Sequence, residues 1–286
     1  MNPTTLHRDR HLDQFQQCAE AIDDLFQQAL DHSGPSAFDQ FLEAAARLTN
    51  LSIYNAMLVG VQRPGAAAVA TQRRWQKLGG RVRRTAVPIV ILQPFGPVSF
   101  VYEYSDVDGV RFPGADASSL FASGPVTEDA FRRMARSATG NRIEVTETDQ
   151  YGGLLAGTAE AIAHLPDALT GSDGHPRWSI RLNSRHDLPT RFATLAHELG
   201  HIYCGHLGGN PAGKWPSRAR TVKSHAHREI EAESVCWLVC RRNGITSRSK
   251  EYLARLINDS GIEGVSMFSI YMAANRIEAK GARDAV

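Results

Sequence analysis

The sequence IRLNSRHDLPTRFATLAHELGH, at residues 180–201, decides the fold of the C-terminal half of the chain. After Asp187, apolar residues recur every three or four positions. This spacing predicts an amphipathic helix over residues 188–203 with Asp187 as its N-cap. The run at 178–182 predicts a short strand just before it. A strand that leads directly into a helix ending in HELGH is therefore the central element of this half.

The HELGH segment, residues 197–201, has the HExxH spacing of a metal site. Residues four apart in a helix lie about 40° from each other, so His197 and His201 can bind a single zinc ion. Glu198 lies one step round the helix, where it can reach a water molecule beside the ion without binding the ion itself. Gly200 leaves room for another segment to pack closely. Two histidines in a core or at a surface would show the same spacing, so the metal site needs a third ligand.

A third ligand cannot come from the long motif HExxHxxGxxH. That motif requires Gly at position 204 and His at position 207, where this sequence has Cys204 and Leu207. His206 is therefore predicted to lie at the surface or behind the ligands.

The next predicted helix, at residues 228–243, offers better candidates. Glu229 and Glu233 are four apart on one face, whereas Glu231 points elsewhere. One carboxylate from this face would complete a His/His/Glu site and leave the fourth position for water. A solvated helix face is the alternative for either residue. Inward carboxylates on an otherwise apolar helix are unfavourable, however, unless they bind something.

Residues 180–201 resemble the ImmA/IrrE-type metallopeptidases, in which a strand precedes a helix reading approximately RF-T-LAHELGH. In that family the third ligand is a Glu in a pattern like ExEAxxF, with an aromatic residue four positions after it. Glu231-x-Glu233 followed by Trp237 is similar. The resemblance therefore implies Glu233 as the third zinc ligand and Glu229 as a supporting partner of the ligands. Ser234 stands where the family usually has Ala.

The same resemblance implies hydrolysis of a peptide bond. Zinc would polarise the scissile carbonyl and lower the pKa of its water toward about 7, while Glu198 would carry the proton to the leaving amine. The strand at 178–182 is expected to hold an extended substrate by β-addition. Three residues are candidates for stabilising the oxyanion: His225, His227 and Tyr151.

A basic stretch without any acidic residue separates Glu43 from Glu103. It contains eight basic residues, while residues 1–43 carry eight acidic and two basic ones, so the net charge of +2 averages opposed regions. Such segregation is typical of a face that contacts phosphates, and interleaved aromatic rings can stack on the bases of a single strand. A solvated basic face with Trp75 in the core would have the same composition. The predicted DNA-binding residues are Arg63, Arg73, Arg74, Trp75, Lys77, Arg81, Arg83 and Arg84.

Residues 52–84 resemble the N-terminal domain of ArdC-type antirestriction proteins. That domain binds single-stranded DNA and precedes a zinc-metallopeptidase-like domain. The resemblance rests on SIYNAMLVGVQRP at 52–64 and VATQRRWQKLGGRVRR at 69–84, followed by a predicted strand at 87–92. Thr71-Gln72 replaces a Gly-Tyr of the family, and Thr85-Ala86-Val87 replaces a Lys-Gly turn. The order of the two resemblances along the chain matches the architecture of that family.

The chain is expected to have an α+β fold in two domains. Residues 1–124 would form a mixed DNA-binding domain, with two N-terminal helices and a hairpin over 86–104. A segment rich in Gly, Ser, Asp and Pro, at about 105–124, would be its linker. Residues 125–286 would form a mostly helical, zincin-like domain with a small sheet.

Composition narrows the classes of function. Hydrophobic residues make up 42% and charged residues 22% of the chain, which excludes wholesale disorder. No apolar run is long enough to span a membrane, and the first residues lack the apolar core of a signal peptide. A cytoplasmic protein is expected, because four cysteines are too few and too unevenly spaced for a disulfide framework: Cys18, Cys204, Cys236 and Cys240.

Two functions remain open. In the first, the protein is a zinc metallopeptidase, coupled to a single-stranded DNA-binding domain, that cleaves a regulatory or defence protein. In the second, it is an antirestriction protein that shields single-stranded DNA, with a structural or regulatory metal centre. Glu198 favours the enzyme, because a purely structural zinc has no use for it and closed structural sites have four protein ligands.

The connection between the two site helices is basic and carries no acidic residue from Leu199 to Arg228. It is either a clamp for an acidic or nucleic-acid partner or a loop that is basic for solubility. Its basic residues are Lys214, Arg218, Arg220, Lys223 and Arg228.

Overall fold

The computed structural model describes residues 20–278, apart from residues 22, 25, 29–30, 32–35, 64, 94–97, 110–125, 151–154, 163–176, 211–214, 216, 220–221, 223, 246 and 248. The described residues fall into two compact units. The N-terminal unit covers residues 30–124, and the C-terminal unit combines residues from 125–281 with residues from 1–29.

The elements of both units have the following bounds. In chain order they are α1 (the described helical residues between 20 and 28), α2 (Ser36–Arg47), α3 (Ile53–Gln62), β1 (Val69–Ala70), α4 (Gln72–Lys77), β2 (Arg81–Val82), β3 (Ile89–Ile91), β4 (Ser99–Glu103), β5 (Val107–Asp108), α5 (Glu128–Thr139), β6 (Ile143–Thr148), β7 (Gly157–Ala161), β8 (Trp178–Asn183), α6 (Leu188–Tyr203), α7 (His225–Arg242), α8 (Ser249–Ser260) and α9 (Met267–Glu278).

The N-terminal unit packs α2 and α3 against a small antiparallel sheet with the strand order β1-β4-β3. Amide side chains of α3 cover the outer edge of β3. Asn55 exchanges two hydrogen bonds with the backbone of Leu92, at 2.9 Å each, and Gln62 does the same with Val90 at 2.8 and 2.9 Å. Edge strands leave backbone groups without partners, so these amides complete the ladder and fix α3 on the sheet.

The C-terminal unit is built on a three-stranded sheet with the order β6-β8-β7. β8 is the central strand, parallel to β6 and antiparallel to β7, and its residues Ile180 and Leu182 are fully buried. The turn after β8 leads directly into α6, which also packs on α7 and α9. β7 is an edge strand of the described sheet.

The described part of α1 belongs to the C-terminal unit, whereas the sequence analysis counted it with residues 1–124. Asp23 accepts hydrogen bonds from the backbone N–H of Phe268 at 3.0 Å and from the hydroxyl of Ser266 at 2.7 Å. A carboxylate at the first turn of α9 satisfies N–H groups that have no partner within the helix. This capping contact explains why α1 joins the helical unit.

The α+β fold predicted from the sequence is confirmed, with a mixed N-terminal unit and a mostly helical C-terminal unit. Five short elements were not predicted: β1, α4, β2, β5 and β7. Residues 105–108, predicted as the start of the linker, lie in a 3-10 turn and in β5, and the linker segment at 110–124 lies outside the described residues. No helix among the described residues is long and apolar enough to cross a membrane.

The two helices that carry the site approach each other closely at Gly200 on α6. A Cβ atom on this residue would lie 3.0 Å from the Cα of Ala232 and 3.3 Å from the Cβ of Val235. The backbone of α7 therefore occupies the space that a larger residue would need. The sequence prediction that another segment packs against Gly200 agrees with this contact.

The substitution Gly200→Ala is expected to lower both stability and metal affinity. Alanine favours a helix over glycine by about 1 kcal/mol, but overpacking against the α7 backbone costs about 1–3 kcal/mol. Thermal unfolding and a zinc titration of the full chain measure the two effects. Thr190→Ala, at an exposed position of the same helix, is the control. A Gly200→Ala protein that is more stable than wild type would contradict the close packing.

Candidate functional site

Helix α6 presents its histidines to α7 because its opposite face is anchored in the core. Asp187 caps the helix by accepting the N–H of Thr190 at 3.0 Å, and Leu195, Leu199 and Ile202 are buried. Since residues three and four apart share a face, this anchoring turns the HExxH residues toward α7.

Donor atoms of three residues converge between α6 and α7. Nε2 of His197 lies 3.2 Å from Nε2 of His201, and the two carboxylate oxygens of Glu229 lie 3.5 Å from the first and 3.3 Å from the second. These three residues form a group able to hold a metal ion. Donors bound at about 2.0–2.1 Å in a tetrahedron are separated by about 3.3–3.4 Å, so the spacing fits a small divalent cation such as zinc.

The other ring nitrogen of each histidine has a partner of its own. Nδ1 of His197 lies 2.8 Å from Oε2 of Glu233, and Nδ1 of His201 lies 3.0 Å from Nδ1 of His206. An ionised carboxylate only accepts hydrogen bonds, so Nδ1 of His197 carries a proton, and Nε2 is the nitrogen that can bind a cation once its own proton has left. The chemistry of the donor set therefore fits a cation.

This geometry favours a division of roles between the two glutamates that is the reverse of the sequence prediction. Glu233, predicted as the third ligand, contacts the far nitrogen of His197. Glu229, predicted as the supporting residue, faces Nε2 of both histidines. The rotation of α7 about its axis decides between them, and helical spacing alone places both on one face.

The electrostatics of the group favour a positive charge among these residues. Burial raises the pKa of Glu229, but its hydrogen bonds with His197 and His201 outweigh this and hold it well below its usual range. Burial disfavours the charged form of His197, yet Glu229 and Glu233 raise its pKa well above the usual value. The carboxylates thus attract either a proton or a metal ion to this point.

Glu198 lies between the histidines and the edge strand β7. Burial raises the pKa of its carboxyl above the usual value, although His197 and a hydrogen bond from the backbone of Ala159 oppose the change. A carboxylate with a raised pKa is a stronger base than an ordinary glutamate. Its position beside the donor atoms agrees with the predicted role as a base.

A cavity of about 630 Å³ opens beside Glu198, His197 and Glu233. Apolar side chains form much of its wall, among them Leu155 beside β7, Ala193 on α6 and Ile245 after α7. The sequence analysis did not identify this cavity, because its wall comes from four separate segments.

The sequence prediction of the strand that would bind an extended substrate is wrong. The expectation was β8, at 178–182, but both of its edges are already paired within the sheet. A strand can take up another chain only along an unpaired edge. Among the described strands of this sheet, β7 offers such an edge next to Glu198.

His206 is buried rather than at the surface. Its ring nitrogen Nε2 lies 2.9 Å from Oε2 of Glu231, and Arg218 donates to both oxygens of Glu231 at 2.5 and 2.9 Å. Glu231 points away from the donor group, as predicted, and it is fully buried. The sequence analysis placed Glu231 only in the ExEAxxF-like pattern, pointing away from the ligands, and Arg218 only in the basic connection, because their pairing arises from the fold and not from a spacing in the sequence.

The candidates for oxyanion stabilisation have different positions. His225 is exposed, with Nδ1 3.8 Å from Oε1 of Glu229. His227 is buried beside Ser224, whose hydroxyl lies 3.1 Å from its Nδ1. Tyr151 lies outside the described residues. The role of each stays a prediction.

The basic connection between α6 and α7 is partly described. Arg218 forms an ion pair with Glu231, and Arg228 donates a hydrogen bond to the carbonyl of Ala219 at 2.6 Å. Both bind the protein itself, so neither supports the clamp for an acidic partner. Lys214, Arg220 and Lys223 lie outside the described residues.

The predicted DNA-binding residues of the N-terminal unit divide into two sets. Arg63 pairs with Asp106 at 3.4 Å, and Arg83 pairs with Asp108 at 2.8 Å, so their charges are partly compensated. The remaining basic residues are exposed, and in the described part of the chain none of them forms an ion pair: Arg73, Arg74, Lys77, Arg81 and Arg84.

Trp75 does not fit the base-stacking role that the sequence analysis predicted. Only 2% of its surface is exposed, and it packs in a core cluster with Ala68, Ala70 and Val107. Its indole N–H donates to the backbone carbonyl of Tyr102 at 2.9 Å. A ring buried on both faces cannot stack on a base, so the core alternative for Trp75 is correct. Phe100 on β4, 52% exposed, has an accessible ring instead.

Residues 159–235 match the family model of peptidase family M78, described as the IrrE N-terminal-like domain. The matched range includes α6 with its HExxH motif and the three glutamates of α7. The C-terminal unit therefore contains an IrrE-like, metallopeptidase-like domain, as the resemblance of residues 180–201 implied.

Two solved structures of the antirestriction protein ArdC from plasmid R388 are similar to the chain. The Mn(II)-bound structure is 17% identical, with a TM-score of 0.38 and coverage of 91% of this chain and 98% of that chain. The metal-free structure is 16% identical, with a TM-score of 0.39 and coverage of 90% and 97%. No curated protein sequence matches the chain.

Substitution of each glutamate in turn is expected to show which one binds the metal and which one only contacts a metal-binding histidine. Glu229→Gln should reduce zinc affinity more than Glu233→Gln, because loss of a partner behind a ligand typically weakens binding by only about 10–100-fold. Competition with a chromophoric chelator measures both affinities. Glu144→Gln, exposed on β6, is the control. The opposite order of the two losses would restore Glu233 as the ligand.

Proposed function

We propose that the protein is a zinc-dependent metallopeptidase coupled to a single-stranded DNA-binding unit. The observation that carries this proposal is the convergence of three lone-pair donors beside an ionisable Glu198. Three protein ligands leave a coordination position open, which is typical of catalytic zinc sites and not of structural ones. His197, His201 and Glu229 would hold the metal.

When bound there, zinc supplies Lewis-acid polarisation of the scissile carbonyl. Glu198 takes a proton from the attacking water and returns it to the leaving amine, which its raised pKa supports. Glu233 keeps the ring of His197 oriented through Nδ1. The backbone N–H of Ala159 holds the carboxylate of Glu198 in place.

An extended peptide is the substrate class that the surroundings of Glu198 accept best. Among the described strands, β7 has no partner on its outer edge, so a peptide backbone can pair with this edge on either side of Ala159, whose N–H already contacts Glu198. A peptide added to this edge would bring its carbonyl groups alongside the proposed base. We infer that the substrate is a regulatory or defence protein with an extended segment.

The substitution Glu198→Gln is expected to abolish hydrolysis of a quenched-fluorescent peptide library by the zinc-loaded full chain. The amide keeps the shape of the side chain but cannot accept the proton, so a loss of about 100-fold or more is expected. Metal content and DNA binding of the same variant are the controls and should not change. Activity equal to wild type would contradict the peptidase proposal.

The proposed DNA-binding surface is the exposed basic side of α4 and β2. Arg73, Arg74 and Lys77 project from α4, and Arg81 and Arg84 lie at and just after β2. Exposed cations that form no ion pair with the described residues are available to phosphates, and the accessible ring of Phe100 can stack on a base. Single-stranded DNA is the ligand that combines both contacts.

An antirestriction protein that protects single-stranded DNA, with a metal centre used for stability or regulation, is the second candidate. The exposed basic surface favours it, since that surface requires no hydrolysis. Its distinguishing outcome is protection of single-stranded DNA from a nuclease by the Glu198→Gln variant at the level of wild type, together with no peptidase activity in either protein.

Replacement of Arg73, Arg74 and Lys77 by Gln is expected to weaken binding to a single-stranded oligonucleotide and to reduce its salt dependence. Each lost phosphate contact reduces the magnitude of the slope of log K against log salt by about 0.7. The slope of the triple variant should therefore be smaller by about 2 than that of wild type. Fluorescence anisotropy at several salt concentrations gives the slope.

A triple variant of exposed arginines on α5, in the C-terminal unit, removes the same charge and serves as the control: Arg132, Arg133 and Arg136, each replaced by Gln. Equal slopes for wild type and the α4 variant would contradict the proposed DNA-binding surface. Equal losses of DNA affinity in the α4 and α5 variants would contradict it too.

A further inference from the structure

A buried network reaches His201 from the side opposite the donor atoms. It consists of His206, Glu231 and Arg218, and is called here the His206 network. Nδ1 of His201 lies 3.0 Å from Nδ1 of His206, whose Nε2 lies 2.9 Å from Glu231. Arg218 binds both oxygens of Glu231, and the backbone N–H of Ser266 donates to Oε1 at 2.9 Å. Glu231 is fully buried and His206 is 2% exposed.

The charges in this network set the direction of its hydrogen bonds. Glu231 is surrounded by donors, and its pairing with Arg218 keeps it ionised, so it only accepts. Nε2 of His206 must therefore carry a proton. Arg218 already balances the charge of Glu231, and a second positive charge on His206 would be desolvated in this buried site. His206 is thus neutral, with a lone pair on Nδ1.

The lone pair on His206 determines the tautomer of His201. Two ring nitrogens 3.0 Å apart share one hydrogen, so Nδ1 of His201 donates to Nδ1 of His206. Its other nitrogen, Nε2, then carries a lone pair directed toward His197 and Glu229. Metal-bound histidines need this state, and their far nitrogen usually donates to a carboxylate or carbonyl.

We propose that the His206 network is a positioning device that fixes the ring and the Nδ1 proton of His201 and so prepares its Nε2 to bind a divalent metal. This inference rests on the metal centre of the proposed function. Its residues come from the turn after α6, the connection between the helices and α7. The basic connection therefore contributes Arg218 to the interior of the site.

Polar substitutions at position 206 test the network with little change of volume. His206→Asn keeps an acceptor close to the position of Nδ1, whereas His206→Gln extends its amide toward Glu231 and leaves His201 without an acceptor. His206→Leu removes both. Zinc affinity of the full chain, measured by competition with a chromophoric chelator, is expected to fall by about 10–100-fold for the Gln and Leu variants. The Asn variant should stay close to wild type.

Two further measurements separate positioning from a general structural effect. The visible spectrum of the cobalt(II)-loaded protein reports ligand geometry, and it should change in His206→Gln but not in His206→Asn. Cys204→Ala is the matched control, because Cys204 is buried in the same turn with its sulfur within 4.8 Å of the His206 and Glu231 side chains, but its thiol donates to the carbonyl of Ser269 and does not contact His201 through a hydrogen bond among the described residues. It should lower the melting temperature of the metal-free protein and leave zinc affinity unchanged.

Unchanged zinc affinity and an unchanged cobalt spectrum in both His206→Gln and His206→Leu would contradict the positioning role of the His206 network, but not the metal centre itself. Equal losses of affinity in Cys204→Ala and His206→Gln would also overturn it, since a structural effect would then explain both. Failure of wild-type protein to bind zinc would instead contradict the proposed function. If His206→Leu does not fold, the comparison of His206→Asn with His206→Gln decides.

Discussion

The close contact between α6 and α7 at Gly200 is the constraint on which the site depends. The absence of a side chain lets the backbone of Ala232 lie within van der Waals distance of α6. Only at this separation do the carboxylate of Glu229 and the two histidines approach within 3.5 Å of one another. The same approach brings Glu233 to one histidine, while Glu231 turns toward the buried network behind the other. The close approach at Gly200 thus brings the glutamates of α7 to the site, and the rotation of α7 about its axis sets what each one contacts.

Local patterns were sufficient to predict the elements that carry the site. The apolar periodicity and the N-cap predicted α6 within a residue of its observed bounds, and HExxH identified His197, Glu198 and His201 as neighbours. The order of Glu229 and Glu233 could not be obtained this way. Both occupy one helical face, and their roles depend on the rotation of α7 and on the ring nitrogen that each one meets. β7 was missed because the sequence GTAEA contains residues of low strand propensity, which only pairing with β8 stabilises.

The sequence predicted the exposed basic surface better than it predicted the role of the aromatic residues. The acid-free stretch predicted an exposed basic surface, and α4 and β2 provide one. Its pairing with Asp106 and Asp108 was not predictable, since both acids lie outside the stretch and reach it only through the fold. For Trp75 the prediction from the sequence was wrong. Its place among arginines suggested stacking, but the surrounding strands bury it in the core.

The central claim is that two imidazoles and one carboxylate bind the metal, with no sulfur. X-ray absorption at the zinc edge of the zinc-loaded full chain tests this most directly. The account predicts nitrogen and oxygen neighbours at about 2.0–2.1 Å, with the outer-shell pattern of two imidazole rings. A sulfur neighbour at about 2.3 Å, as binding through Cys204 would give, or a spectrum without imidazole scattering, would contradict it.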